Sequence, residues 1–266
     1  KKHGWKIIVK NRAGAGGGVM AKSLKTAPKD GYTIGMAVGD PFAFNPVLNP
    51  KIGYTHEDFV YLGSIASFQM AVLAMKDKGW NTLADAMKAA KKKGSITFGS
   101  MAPRLHAMAK MIGRHYCVDV KVVPARGGRG VMNQLLGGHV DLGWGAGIQG
   151  RYVDAGKMAI LASAIDQPLQ QDPSKKTLVA LGMPLLDASG YFLLAAPKGV
   201  PDEMVRKMTA AIKEAVAEPK VADLVGKRMF LKVDYKTPAQ LATQVASLTK
   251  ASRAILAALK KPSPCK

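Results

Sequence analysis

Three stretches of this chain combine small residues with cations at points where an apolar run gives way to a helical pattern. They are N-R-A-G-A-G-G-G at 11–18, G-S-M-A-P-R at 99–104 and P-A-R-G-G-R-G at 124–130. Small residues let the backbone turn tightly, so that free amide N–H groups at a helix start point outward and attract an anion. Ser100 adds a hydroxyl that can cap or donate, and Pro103 suits the first helical turn. Arg126 or Arg129 can offer a planar fork of donors to a carboxylate. One helix terminus supplies only about 0.3–1 kcal/mol, whereas micromolar binding needs about 8 kcal/mol. A small anion therefore requires several such junctions converging, and each one alone also reads as an ordinary turn ahead of a helix.

Two further positions sit where α/β proteins gather their sites, at the ends of apolar runs. Asp40 follows the run 32–38 and precedes Pro41, a place that also suits a turn or cap residue. Trp144 closes the run 140–144, where it can wall a pocket or fill a core. Other chemistries find no support. The first glycine run fits G-x-G at Gly14 and Gly16, but Val19 stands where a dinucleotide loop needs its third glycine, and Asp30 lies in a turn. No Gly-Lys-Ser/Thr run follows for a phosphate loop. His106, His115 and His139 lack a nucleophile or paired carboxylate at a defensible spacing, and no Cys/His pairs stand at zinc spacing. No catalytic residue, cofactor or metal is expected.

The elements that must carry these junctions follow from hydrophobic periodicity. Strands are expected at 7–9, 32–38, 60–75 in two pieces, 96–98, 120–123, 140–144, 158–164 and 191–196. Helices are expected after the first glycine run, over 81–93, 103–115 and 130–136, up to about 155, and in two pieces split at Glu218-Pro219. The last helix opens on a capping box, Thr237 with Gln240, and Pro238 at its first position. Its apolar stripe is Leu241, Val245, Leu248, Ile255 and Leu259, with a turn skipped at Ser252. This alternation is the pattern of an α/β fold. Two halves joined by crossing strands are expected, with 72–75 and 193–196 as the crossings.

Composition sets the outer bounds. The 266 residues carry 39 Lys and Arg against 18 Asp and Glu, a formal charge of +21, and 48% are hydrophobic, enough for a packed core. The lysines are spread out and aromatics are 6%, which argues against a nucleic-acid surface with its clustered cations and stacking rings. No apolar run approaches the ~20 residues of a membrane span. Cys117 and Cys265 are too few for a disulfide scaffold, and Cys265 falls in a tail expected to fray.

Read in order, the motifs resemble one family. V-K-N-R-A-G-A-G-G at 9–17, A-P-K-D-G-Y-T at 27–33, L-L-G-G-H-V-D-L at 135–142, D-A-G-K at 154–157 and A-P-K-G-V-P at 196–201 resemble the tripartite tricarboxylate transporter receptors, or Bug receptors. Thr237-Pro238 resembles the opening of their last helix. The resemblance implies a two-lobed periplasmic-binding-protein-like fold of type II, closing like a flytrap on a small organic carboxylate. It implies delivery of that ligand to two integral membrane subunits, in the periplasm, by a monomer with no enzymatic role. The lobes would be 1–75 with 191–266, and 76–190. The cleft contacts it implies are Gly39, Asp40 and Phe42 in the first lobe. In the second they are Gly99, Ser100, Met101, Arg104, Arg126, Gly127, Gly128, Arg129, Trp144 and Gly145.

The chain departs from the family pattern in three places. Family members carry a strand, a ligand-gripping glycine loop and a helix ahead of the segment at Val9, and this unit, like a signal peptide, is expected to be missing from a chain that opens at Lys1. The pattern S-x-G-x-G-S-x-x-H is shortened between Ser100 and His106, with Ala102, Pro103 and Arg104 in place of its glycines. The acid that commonly follows V-D-L is Gly145, which points to a di- or tricarboxylate without an amino group. A sensor of the same fold, feeding a signalling partner, is the alternative role.

Overall fold

The computed structural model describes residues 3–265. In chain order the strands are β1 (Gly35–Ala37), β2 (Phe59–Ser67), β3 (Ala71–Met75), β4 (Ser95–Ser100), β5 (Asp119–Pro124), β6 (Leu142–Gly145), β7 (Met158–Ser163), β8 (Tyr191–Pro197) and β9 (Lys232–Val233). The helices are α1 (Gly18–Lys25), α2 (Asp40–Leu48), α3 (Leu83–Lys93), α4 (Pro103–Tyr116), α5 (Gly127–Leu136), α6 (Gly150–Asp154), α7 (Asp202–Val216), α8 (Pro219–Asp223) and α9 (Pro238–Lys260).

The strands form two sheets. One has the order β1-β8-β2-β9 and is antiparallel throughout. The other has the order β5-β4-β6-β3-β7, with β4 parallel to both β5 and β6 and with β3 antiparallel to its neighbours. Strands β4, β5 and β6, joined through α4 and α5, therefore end along one edge of the second sheet. This α/β arrangement of two sheets is the fold class expected from the alternating pattern.

Helix termini follow local chemistry. In α3, Thr82 and Asp85 make a reciprocal capping box, and Gly94 ends the helix in the left-handed conformation that glycine adopts without a steric penalty. Thr237 and Gln240 do the same for α9, with Pro238 at the first position. The stripe of α9 is buried at Leu241, Val245 and Ile255. The skipped turn is filled by Ser252, fully buried, whose hydroxyl donates to Leu248 O at 2.6 Å. A small residue that satisfies its own hydroxyl keeps the stripe continuous where a hydropathy count breaks it.

Four expectations need correction. Residues 7–9 are coil, with Ile7, Ile8 and Val9 more than 70% exposed, because no described strand lies beside them to pair with their backbone groups. The crossings are not 72–75 and 193–196. The first sheet hands over to the second at the short link 68–70 between β2 and β3, and the chain returns just before β8. Strand β3, set in the first lobe by the expected boundary at 75, thus belongs to the second sheet. The tail is not frayed at Cys265: a disulfide joins it to Cys117 at the end of α4, with Cα atoms 5.4 Å apart. Arg114 adds three bonds to the carbonyls of Leu259, Lys261 and Pro262, closing the open end of α9.

The largest core cluster surrounds the second sheet and includes Phe98, Met108, Ile112 and Trp144, with Phe44 of α2 and Ile255 of α9 reaching into it. A second cluster, with Phe42, Phe59, Tyr61, Leu193 and Leu241, fills the first sheet's face. Helix α9 packs against α2, β2 and α4, so it belongs to both halves. Among the described residues no helix is long and apolar enough to cross a membrane.

Candidate functional site

The ends of β4, β5 and β6 bring three of the singled-out segments together. Pairing runs in register from Ser95 opposite Asp119 to Ser100 opposite Pro124, and Gly99 lies opposite Gly143. The turns after these strands therefore share one edge. Ala125 N donates to Ser100 O at 2.9 Å, linking the first two turns. The His106 ring also reaches Ser100 O at 3.2 Å, and because a carbonyl only accepts, Nε2 carries the proton. A methyl group added at Gly128 would stand 3.6 Å from Met101 Sδ, so Met101 lies beside the start of α5. Arg126 and Arg129 flank that start and are exposed. Ser100 Oγ is buried with no hydrogen-bond partner.

The first half meets this edge through two segments. The 11–18 run turns through Gly16 and Gly17 at positive φ, and added methyl groups would lie 2.7 Å from Pro103 Cδ and 2.5 Å from Pro41 Cγ respectively. Glycine is needed at both for the run to lie against α2 and α4. Asn45, 4% exposed in the middle of α2, holds the run by donating Nδ2–H to Ala15 O at 2.9 Å and Gly16 O at 3.3 Å. Asp40 opens α2. Its Oδ1 accepts from Arg104 Nη1 at 3.2 Å, and the two side chains are 13% and 4% exposed.

Arg104 is the centre of the arrangement. Its Nη2 donates to Asp187 O in the segment that returns to the first sheet, while Nε is buried with no partner. It also forms part of the wall of a cavity of about 410 Å³ between the halves, with Phe68, Asp187, Tyr191 and Ser247 among its lining. Burial, reinforced by Asp234, pushes the Tyr191 hydroxyl up from its ordinary value, so it stays a neutral donor there.

The remaining candidate residues go elsewhere. Phe42 is fully buried in the first core, edge-on to Phe59 with ring centres 4.8 Å apart. Trp144 is fully buried beside Phe98, and its indole N–H donates to Leu105 O at 3.1 Å. Both side chains fill core space rather than face the shared edge. Gly145 is buried too, and an added methyl would meet Gln149 Oε1 at 2.6 Å. Gln149, fully buried, donates through Nε2 to Gln69 O and Gln171 Oε1, both at 2.8 Å, tying the 68–70 link to the loop after β7. Sequence reasoning missed Asn45, Gln149 and Asp187. A lone amide within an apolar helix is a signal that Asn45 did carry; a main-chain carbonyl such as that of Asp187 carries none.

Comparison with known proteins gives the family and the fold. The family model described as "Tripartite tricarboxylate transporter family receptor" matches residues 1–260. A UPF0065 protein from the gbd 5' region of Cupriavidus necator is 28% identical over 257 residues, 95% of this chain and 77% of that one. Among solved structures, Rpa4515 of R. palustris with adipate superposes with a TM-score of 0.84 at 19% identity, covering 96% of this chain and 87% of the other. MatC from Rhodopseudomonas palustris with bound malate gives 0.79 at 20% identity, covering 91% and 85%. At these identities the likeness speaks to the fold.

Proposed function

The chain belongs to the tripartite tricarboxylate transporter family receptors, and we propose that it binds a small organic carboxylate between its two halves and hands it to a membrane transporter. The observation that carries the reading is Arg104: a cation 4% exposed, set between the two sheets, already holding one carboxylate and with its Nε–H unused. Asp40, next to Gly39 in the first half, reaches this guanidinium at 3.2 Å, and Arg104 follows the Gly99-Ser100-Met101 segment by a few residues. The exposed Arg126-Gly127-Gly128-Arg129 turn adds amides and two guanidinium groups on the same edge. Buried forked donors beside free amides suit an anion far better than a cation or an apolar ligand.

The ligand is a di- or tricarboxylate without an amino group. The ground for this is the family pattern in the sequence, whose acid after V-D-L is Gly145 here; Gly145 itself packs against Gln149, away from the shared edge. Adipate and malate, held by proteins of the same fold, are the first ligands to try. The receptor acts in the periplasm as a monomer, with the first sheet and its helices moving against the second sheet about α9, which is fastened to α4 by the Cys117–Cys265 bridge, and it docks on two integral membrane subunits. It has no catalytic duty of its own.

Native mass spectrometry of the full-length protein, purified from periplasm without added ligand, tests this. An adduct in the mass range of a small carboxylate, lost on gentle activation, is the expected result. An adduct that proves to be an amine or a sugar would remove the reading.

A further inference from the structure

The Asp40–Arg104 pair is unusual for its place as much as for its burial. Asp40 heads α2, directly after the first sheet's edge strand, and Arg104 heads α4, directly after β4, an inner strand of the second sheet. One bond of 3.2 Å therefore joins the two halves at the edge where the strand ends converge. Beside this contact the glycine run, held by Asn45, lies against Pro103.

The hold is incomplete. A guanidinium and a carboxylate fit best through two parallel N–H bonds, but Asp40 takes only one, from Nη1. Nη2 is turned to Asp187 O, and Nε is buried without any partner. An unsatisfied buried donor is costly, so the site is left with an unmet demand for one more acceptor. Arg104 as a residue borders the 410 Å³ cavity, although Nε itself is covered. A carboxylate arriving there can supply two oxygens where Asp40 supplies one.

We propose that Asp40 is a built-in competitor for the ligand: its carboxylate holds Arg104 across the two sheets in the place of a ligand carboxylate, and binding exchanges one for the other. This rests on the carboxylate-receptor reading and adds regulation to it. The unliganded receptor is held shut by its own side chain. Its affinity is set by the difference between two carboxylates on one guanidinium, not by the ligand alone. Only ligands whose geometry allows the two-pronged contact displace Asp40 efficiently, which makes the pair a filter as well as a latch.

The test is calorimetric titration of the wild type, D40N and R104Q with malate, succinate and adipate at fixed ionic strength. For any of the three that the wild type binds, D40N is expected to bind about tenfold more tightly and R104Q about tenfold more weakly. Thermal unfolding supplies a second readout. Without ligand, D40N should melt below the wild type, and added acetate should raise its midpoint more than that of the wild type or of R104Q.

Wild-type binding with D40N no tighter, or weaker, would overturn the exchange and leave the receptor reading standing. No binding by any of the three proteins would remove both. Should D40N fail to fold even with acetate present, D40E, which keeps the charge but shifts it by one methylene, takes its place. It is expected to bind about threefold more tightly than the wild type, and equal affinity would overturn the exchange.

Discussion

Asp141, in the V-D-L segment, accepts from Thr97 N at 3.1 Å and from Thr97 Oγ1 at 2.8 Å, while the same hydroxyl oxygen accepts from Asp141 N at 2.9 Å. This reciprocal contact ties the start of β6 to β4 and so sets the edge on which the candidate site is built. Burial would raise its carboxyl, but the Thr97 bonds, with Lys93 and Lys78, hold it below the ordinary carboxylate range. A depressed pKa contributes stability above the unfolded value, near 3.8, that disappears as pH falls through the folded value. D141N is therefore expected to lose about 1.5–3 kcal/mol at neutral pH, and much less in acid; urea melts at pH 7 and pH 3 check both. At this scale sequence reading was uneven. The glycines at 16 and 17 and the cations at 104, 126 and 129 stood out by type and spacing. Phe42 and Trp144 could not be told from core residues, because an aromatic at a strand or helix end looks alike whether it faces a cleft or a sheet. The buried setting of Gly145 depends on Gln149, four residues on, whose direction no spacing rule provides.

Elements with strong local codes were legible to within a few residues. The α3 and α9 capping boxes, the glycine stop of α3 and the Pro-led starts of α4 and α9 are contained in four-residue patterns. Removing one such code has a predictable cost: T237A should lose about 1 kcal/mol, read as a lower thermal midpoint with unchanged ligand affinity. Residues 7–9 were misread because β-branched composition favours a strand only where a neighbour supplies hydrogen bonds, and composition cannot supply the neighbour. The far end of α9 depends on long-range partners as well. Arg114 and the Cys117–Cys265 bridge, 148 residues apart in sequence, fasten that end to α4. Closing a loop of that length stabilises by at most about 5 kcal/mol in the chain-entropy view. Reduction, or the C117S/C265S double substitution, is expected to lower the thermal midpoint, and an unchanged midpoint would show that Arg114 and packing alone fasten the helix.

For the whole molecule, the alternation of short apolar runs and helical patterns was enough for the α/β class, and the ordered motifs from residue 9 onward for the family. The exact crossing between sheets was not, since 68–70 is a break in an otherwise continuous apolar stretch. The +21 charge also takes its meaning at this scale. Scattered surface lysines are screened beyond about 8 Å in physiological salt, so they bias encounter with anions more than they hold one. Raising the salt concentration should therefore slow ligand association while changing dissociation little, which stopped-flow titration at two ionic strengths resolves. A dissociation rate that rises as steeply would place the anion on the surface instead.

The most direct measurement is a thermal-shift titration of the purified chain against di-, tri- and aromatic carboxylates, with aspartate and glutamate as amine-bearing controls. A ligand that binds only the folded state raises the midpoint progressively with its concentration. A concentration-dependent rise with at least one amine-free di- or tricarboxylate, larger than with either amino acid, is the expected result. A flat response to every carboxylate, or a larger rise with aspartate or glutamate, would contradict it.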